Sequence, residues 1–246
     1  MTAKETRAQA REALTGQWGK TILFLIIYSI ITAVISLVLK FIPFIGSAIE
    51  LIISIPLSIG LTATFMKIKR KEQFEYFDFI NTSIEMFGKS WGIVGHIIVK
   101  MLIPVILLII SIVIISAGFI MLAAKEAGPV NIGAVLITTV GIILYIISII
   151  WTMIKGYLYA ITSQLLIDNE NMTTLDIVEK SETLMNGNRM KFFLLSLSFI
   201  GWAILAAFTF GIGLLWLIPY IAISGICFYD NIANDSKNIE VEEISE

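Results

Sequence analysis

The sequence predicts an all-α, polytopic membrane helical bundle: about six transmembrane helices plus short cytoplasmic amphipathic helices. Three observations carry this. Of 246 residues, 57% are hydrophobic and only 15% charged, with a mean hydropathy of +0.90; a soluble domain is about 45–50% apolar and about 25% charged. The apolar residues fall in continuous runs near the roughly 20 residues a helix needs to cross about 30 Å of hydrocarbon, whereas barrel strands alternate apolar and polar over about ten residues. The basic residues gather between alternate runs, as they do in a chain with a fixed orientation.

The runs follow in order. The first is Thr21 to Leu39, between Lys20 and Lys40; the second is Ala48 to Met66, stopped by Lys67. The third lies within Ser90 to Leu122, more than one span requires. The fourth is Ala134 to Ile154, stopped by Lys155, the fifth Phe192 to Phe210, and the sixth Ile212 to Tyr229. Phe210-Gly211-Ile212-Gly213 separates the last two as a tight hairpin, because glycine lets the backbone reverse; one unbroken helix from Phe192 to Tyr229 would overshoot a bilayer.

Fourteen of the 17 basic residues lie on one side: Lys4, Arg7, Arg11 and Lys20; Lys67, Lys69, Arg70, Lys71 and Lys89; Lys155, Lys180, Arg189 and Lys191; and Lys237. Only Lys40 and Lys125 fall on the other, with Lys100 in or beside span three. Both termini are therefore expected in the cytoplasm. The first run is longer than a signal-peptide core and no cleavage site follows it, so it is expected to stay as an anchor. The glycosylation sequons at Asn81, Asn171 and Asn234 all lie on the cytoplasmic side and read as chance matches.

Three cytoplasmic stretches look alike. Ala8 to Leu14 is followed by Gly16 and Trp18-Gly19; Phe77 to Phe87 by Gly88 and Trp91-Gly92; Thr173 to Met185 by Gly187, Arg189 and Lys191. Each reads as a short amphipathic helix along the inner headgroup plane, a glycine stop, an anchor and a membrane hairpin. Thr173 with Asp176 three residues on is an N-cap signal. Either the chain holds three copies of one unit, or short helices before a membrane simply tend to end this way. The domain division is a transmembrane domain over 1–230 and an acidic tail over 231–246.

Composition excludes several functions. A net charge of −2 leaves no basic field for nucleic acid. One cysteine, Cys227, cannot build a disulfide framework, and one histidine, His96, cannot build a His-rich metal site. The Gly16-Gln17-Trp18-Gly19-Lys20-Thr21 segment ends like a phosphate loop but has two residues between its glycines where four are needed. No cofactor and no catalytic residue is expected.

Polar groups at bilayer depth are costly and mark sites by default. Glu85, Lys89, Gly92, His96 and Lys100 fall on one helix face. If span three starts at Trp91, Lys100 lies about 13 Å in. Three readings stand: an anchor that snorkels to the headgroups ahead of the uncharged Met101 to Ala124 stretch, a proton or ion path with His96, or a structural pair inside the bundle. Glu50 is the only acidic residue within a predicted span. Glu50, His96 and Lys100 are thus the candidate polar site, of transport or structural use. Trp18, Trp91 and Trp151 read as cytoplasmic-end anchors, and Trp202 as internal packing. Ala203, Ala207 and Gly211, and also Gly88 with Gly92, have the small-xxx-small spacing of close helix contacts. Pro43, Pro56, Pro104 and Pro219 mark kinks or helix ends; Pro56 and Pro219, within apolar runs, read first as packing kinks and otherwise as a broken-helix site of the transporter kind.

Leu14-Thr15-Gly16-Gln17-Trp18-Gly19, Lys155-Gly156-Tyr157-Leu158-Tyr159-Ala160 with Asp168-Asn169, Ser181 with Leu184-Met185-Asn186-Gly187, and Leu197 to Tyr229 form a pattern. It resembles domain-of-unknown-function family 975, uncharacterised bacterial integral membrane proteins, over most of the chain. The resemblance implies a multi-pass protein of the bacterial cytoplasmic membrane and carries over no activity and no site residue. The function expected is a non-enzymatic accessory, scaffold or protective factor. Its partners are the lipid bilayer and either a second copy or another membrane protein. The alternative is a small transporter or channel with a site near spans three and six. In a Cys227→Ser background, Glu246→Cys should resist a membrane-impermeant maleimide in intact cells; labelling there would invert the predicted topology.

Overall fold

The computed structural model describes residues 2–42, 45–124 and 132–245, with side chains to Ser236. Pro43 and Lys125, and the Lys237 side chain, lie outside the described residues. Eleven helices and no strand occur among the described residues: α1 (Ala3–Leu14), α2 (Trp18–Leu39), α3 (Ile45–Lys69), α4 (Asp78–Glu85), α5 (Phe87–Ala123), α6 (Ile132–Leu158), α7 (Thr162–Asp168), α8 (Thr174–Met185), α9 (Arg189–Leu197), α10 (Ile200–Phe208) and α11 (Leu214–Ser245). Six helical segments are long and apolar enough to cross a membrane: α2, α3, α5, α6 with its continuation to Asp168, α9–α10, and α11 to Ser236.

The order short helix, span, span occurs three times, the fifth span being α9 with α10, and the match extends to single side chains. Adding 73 to a residue number in the first unit gives its counterpart in the second, and adding 171 gives the third. At the first two starts an amide donates to the carboxylate three residues on, Thr2 N–H to Glu5 at 2.9 Å and Glu75 N–H to Asp78 at 3.1 Å; at the first and third the amide of that acidic residue donates to a threonine cap, Glu5 N–H to Thr2 Oγ1 at 3.3 Å and Asp176 N–H to Thr173 Oγ1 at 3.2 Å. The buried positions coincide: Thr6, Ala10 and Ala13; Phe79, Ser83 and Met86; Ile177, Ser181 and Leu184. Gln17, Ser90 and Asn188 each turn a side chain back onto the carbonyl four residues earlier, at Ala13, Met86 and Leu184. Gly16 (φ +80°) and Gly187 (φ +82°) take the left-handed conformation that ends a helix. The second unit departs here: α4 ends at Glu85 with Met86 as its cap, and the expected stop, Gly88, sits inside α5.

Each short helix docks on the unit before it, cyclically: α4 on α3, α8 on α5 and α6, and α1 on α11. The small central residue permits this. A Cβ on Gly60 of α3 would fall on the Phe79 carbonyl and the Ser83 hydroxyl of α4, and Ser181 Oγ donates to the Leu158 carbonyl at 2.6 Å. The main core, with Phe24, Phe79, Leu14, Met66, Ile177 and Ile226 fully buried, forms around these joints. Phe24 centres an edge-to-face cluster with Phe65, Phe74 and Phe79.

Several expectations need correction. Trp91 is not an end anchor: its indole donates to the Ile52 carbonyl at 3.2 Å, and Ile52 is about 22 Å along α3 from Lys67 at 1.5 Å per residue. Trp202 is 54% exposed rather than internal, because only Ala206 of α10 faces inward. Ala203 and Ala207 are exposed as well. The close small-residue seam lies instead between α5 and α6, where Gly118 meets Thr138 and Gly141 meets Ile114 and Ile115, with Ser111, Ala134 and Ser148 buried. Pro56 and Pro219 sit inside unbroken α3 and α11. The interruption in a span falls at Ser198–Phe199, between α9 and α10, without proline. The tight turn is where the glycines placed it: α10 ends at Phe208, Phe210 (φ +52°) and Gly211 (φ +87°) reverse the chain, and α11 begins at Leu214. α11 then runs on through the acidic segment, with no helix break near residue 230.

Gly60→Ala should lower the melting temperature in detergent, at a cost of about 1–3 kcal/mol for forced overpacking. Gly88→Ala, with open space at its Cβ and ordinary helical φ, should be neutral or raise stability by about 0.5–1 kcal/mol. Equal effects of the two would contradict the α3–α4 joint.

Candidate functional site

The described residues hold five ion pairs, and each joins two different units or a unit to α7. Lys67, at the end of α3, reaches Asp78 at the start of α4 (2.9 Å). Lys69 pairs with Asp230 of α11. Arg70 reaches Asp168 of α7 at 2.7 Å and Asp230 at 3.9 Å, and the Tyr229 hydroxyl donates to Asp168 at 3.1 Å. Lys100 of α5 reaches Glu182 of α8 at 2.8 Å, and Tyr159 donates its hydroxyl to the same carboxylate at 2.6 Å. Lys89 adds a bond to the Glu170 carbonyl. Together these form a polar layer that ties the units to one another.

The charge states follow from these partners. The Lys67 ammonium, and the Glu75 amide behind it, hold the Asp78 carboxyl below its ordinary range against the opposing effect of burial. Burial pushes Glu182 up, but Lys100 and Tyr159 together outweigh it and leave the carboxyl lowered. The Asp168 carboxylate raises Arg70.

Of the three residues expected to form a polar site, the structure brings two onto one helix and leaves the third apart. His96 and Lys100 are one turn apart on α5. His96 is half-buried and has no hydrogen-bond partner among the described residues. Lys100 turns to Glu182. Glu50 lies elsewhere, in a cavity of about 200 Å³ between α2 and α3 shared with Tyr28, Thr32 and Ser54. The residues that complete the layer, Tyr159, Asp168, Glu182 and Tyr229, escaped sequence reasoning because their partners lie up to about 160 residues away, as with Lys69 and Asp230. A signal was present: Tyr159, Asp168 and Ser181 lie in the segments that carry the family pattern.

Beside the layer, Thr15, Gln17, Lys20, Lys71, Phe74 and Tyr76 line an open cavity of about 600 Å³. Lys71 holds φ +58° at the end of α3, a conformation that costs a non-glycine residue about 1–2 kcal/mol. No group of three metal-ligating side chains occurs among the described residues.

The family model described as "Protein of unknown function (DUF975)" matches residues 1–236, and the chain belongs to that family. No curated protein and no solved structure matches.

Asp78 and Glu182, both lowered, contribute stability that is fully present above the ordinary carboxylate pKa of about 4 and is lost as pH falls through their folded values. The melting temperature in detergent should therefore drop on acidification below about pH 4. The drop should be shallower in Asp78→Asn and Glu182→Gln, which begin less stable at neutral pH. Unchanged acid profiles in both variants would remove these joints from the stability balance.

Proposed function

We propose that this integral membrane protein is a non-enzymatic accessory factor of the bacterial cytoplasmic membrane, a scaffold or protective component with both termini in the cytoplasm. Its working surface is the α5–α6 hairpin. The observation that carries this is how little of the chain touches that hairpin. Its small residues are spent on its own seam, and its contacts with other helices at Trp91, Gly92, Lys100 and Tyr157 lie near its root. α5 spans 37 residues, and the outward faces present Ile, Leu and Val along most of the length. Two of the most apolar spans are therefore left for a partner in the bilayer, a second copy or another membrane protein. The polar layer supports this reading, since its carboxylates are spent on joints between units.

A second reading, a small transporter, is favoured by one observation. Span five is interrupted at Ser198–Phe199, and the Arg7 guanidinium donates to the Ser198 carbonyl there at 3.4 Å. Broken spans of this kind bind solutes in transporters.

A photo-crosslinking residue at Val113 should give one discrete protein adduct, and the same residue at Phe208, exposed on the other hairpin, should not. Lipid adducts alone at Val113 would sink the scaffold reading. In proteoliposomes the transport reading requires a flux that Arg7→Gln alters by an order of magnitude or more. No flux of any tested ion, or flux indifferent to Arg7→Gln and Lys100→Ala, would dispose of it.

A further inference from the structure

A groove of about 410 Å³ runs between the start of α2 and the α10–α11 hairpin. Trp18, Trp202, Trp216, Leu205 and Leu217 line it, and it ends at Arg11 and Tyr220. Trp202 and Trp216 are about half exposed, so the groove opens along the apolar surface of two membrane spans. From Tyr220 to Gly213 the lining extends about 10 Å along α11.

Among the described residues no ion pair answers the charge at its end. The Arg11 guanidinium donates to the Tyr220 hydroxyl at 3.1 Å, and no carboxylate pairs with it among the described residues. Arg7, one turn earlier, also lacks an ion-pair partner there, and its Nε is buried without a hydrogen bond. The repeat sharpens this contrast. The position equivalent to Arg11 in the third unit is Glu182, whose countercharge, Lys100, comes from the unit on which α8 docks. α1 docks on α11 and α9 of the third unit, and there, among the described residues, Arg11 meets a hydroxyl and no carboxylate.

We propose that this groove binds an anionic phospholipid, its acyl chain among the three tryptophans and its phosphate on Arg11. The guanidinium fork suits a phosphate, and indole rings favour the boundary between headgroup and chain. A helix is about 10–12 Å across, and two turns of one need roughly twice the groove's volume, so a single acyl chain fits where a partner helix does not. The assignment stands apart from the reading of the α5–α6 hairpin, which lies on other helices.

Native mass spectrometry of the full chain, released from nanodiscs of phosphatidylglycerol and phosphatidylcholine with identical acyl chains, tests this. The unaltered protein should retain phosphatidylglycerol preferentially. Arg11→Gln should reduce that preference about five-fold, the worth of one arginine at a membrane surface. Trp216→Ala should reduce retention of both lipids, and Lys71→Gln, outside the groove, should leave the preference unchanged. Should Arg11→Gln fail to insert, the unaltered protein still decides: its preference must weaken in high against low ammonium acetate, because the contact is ionic. Equal retention of the two lipids, a preference indifferent to Arg11→Gln or to salt, or a lipid-free dimer in which a second copy fills the groove would each overturn the assignment.

Discussion

The close approach of each short helix to the preceding unit is the constraint on which the rest of this structure depends. In a bilayer no hydrophobic force drives one apolar helix onto another, and contact rests on fit and on hydrogen bonds. The chain meets this with small residues at the same place in each unit: Ala10, Ser83 and Ser181, all buried. Gly60 gives α4 a surface to lie on, and Ser181 bonds the last carbonyl of α6. Once the short helices are seated, the aromatic cluster around Phe24 and the packing of Ile223, Ile226 and Phe228 close over them.

The polar layer follows from that seating. Docking brings the end of α3 to α4, to α7 and to the middle of α11, and brings α5 to α8, and the charges carried there meet. A charge moved out of water needs a partner with good geometry. Lys67, Lys69, Arg70 and Lys100 each find one on a neighbouring unit. Against that background the arginines of α1 stand out, since among the described residues no carboxylate pairs with them where the first unit docks on α11.

Much of the fold was legible from residue order. The six spans, the glycine turn at Phe210–Gly213 and the N-cap at Thr173 are local features, and local sequence specifies them. The repeat was half legible. Trp18-Gly19 and Trp91-Gly92 betray it, but the third unit has Arg189-Met190 in their place, and its equivalence rests on caps and burial that become visible in three dimensions. Trp202 and the small-xxx-small series in span five were misread for one reason. Spacing along a helix says which residues share a face, and it does not say whether that face meets protein or lipid.

The candidate site shows the same division. Glu50, His96 and Lys100 were singled out because charge or a titratable ring within an apolar run is conspicuous in sequence. Which groups they meet depended on chain segments far away: Glu182 lies 82 residues from Lys100, and no periodicity links the two. The sequence by itself determined that this is a multi-span helical membrane protein, because hydropathy and length act residue by residue against a bilayer of fixed thickness. The tertiary structure alone decided which charges are neutralised within the chain and which are left at the edge of an aromatic groove. That outcome depends on how three similar units close on one another, and a pairwise contact between distant residues leaves no trace in the order of either segment.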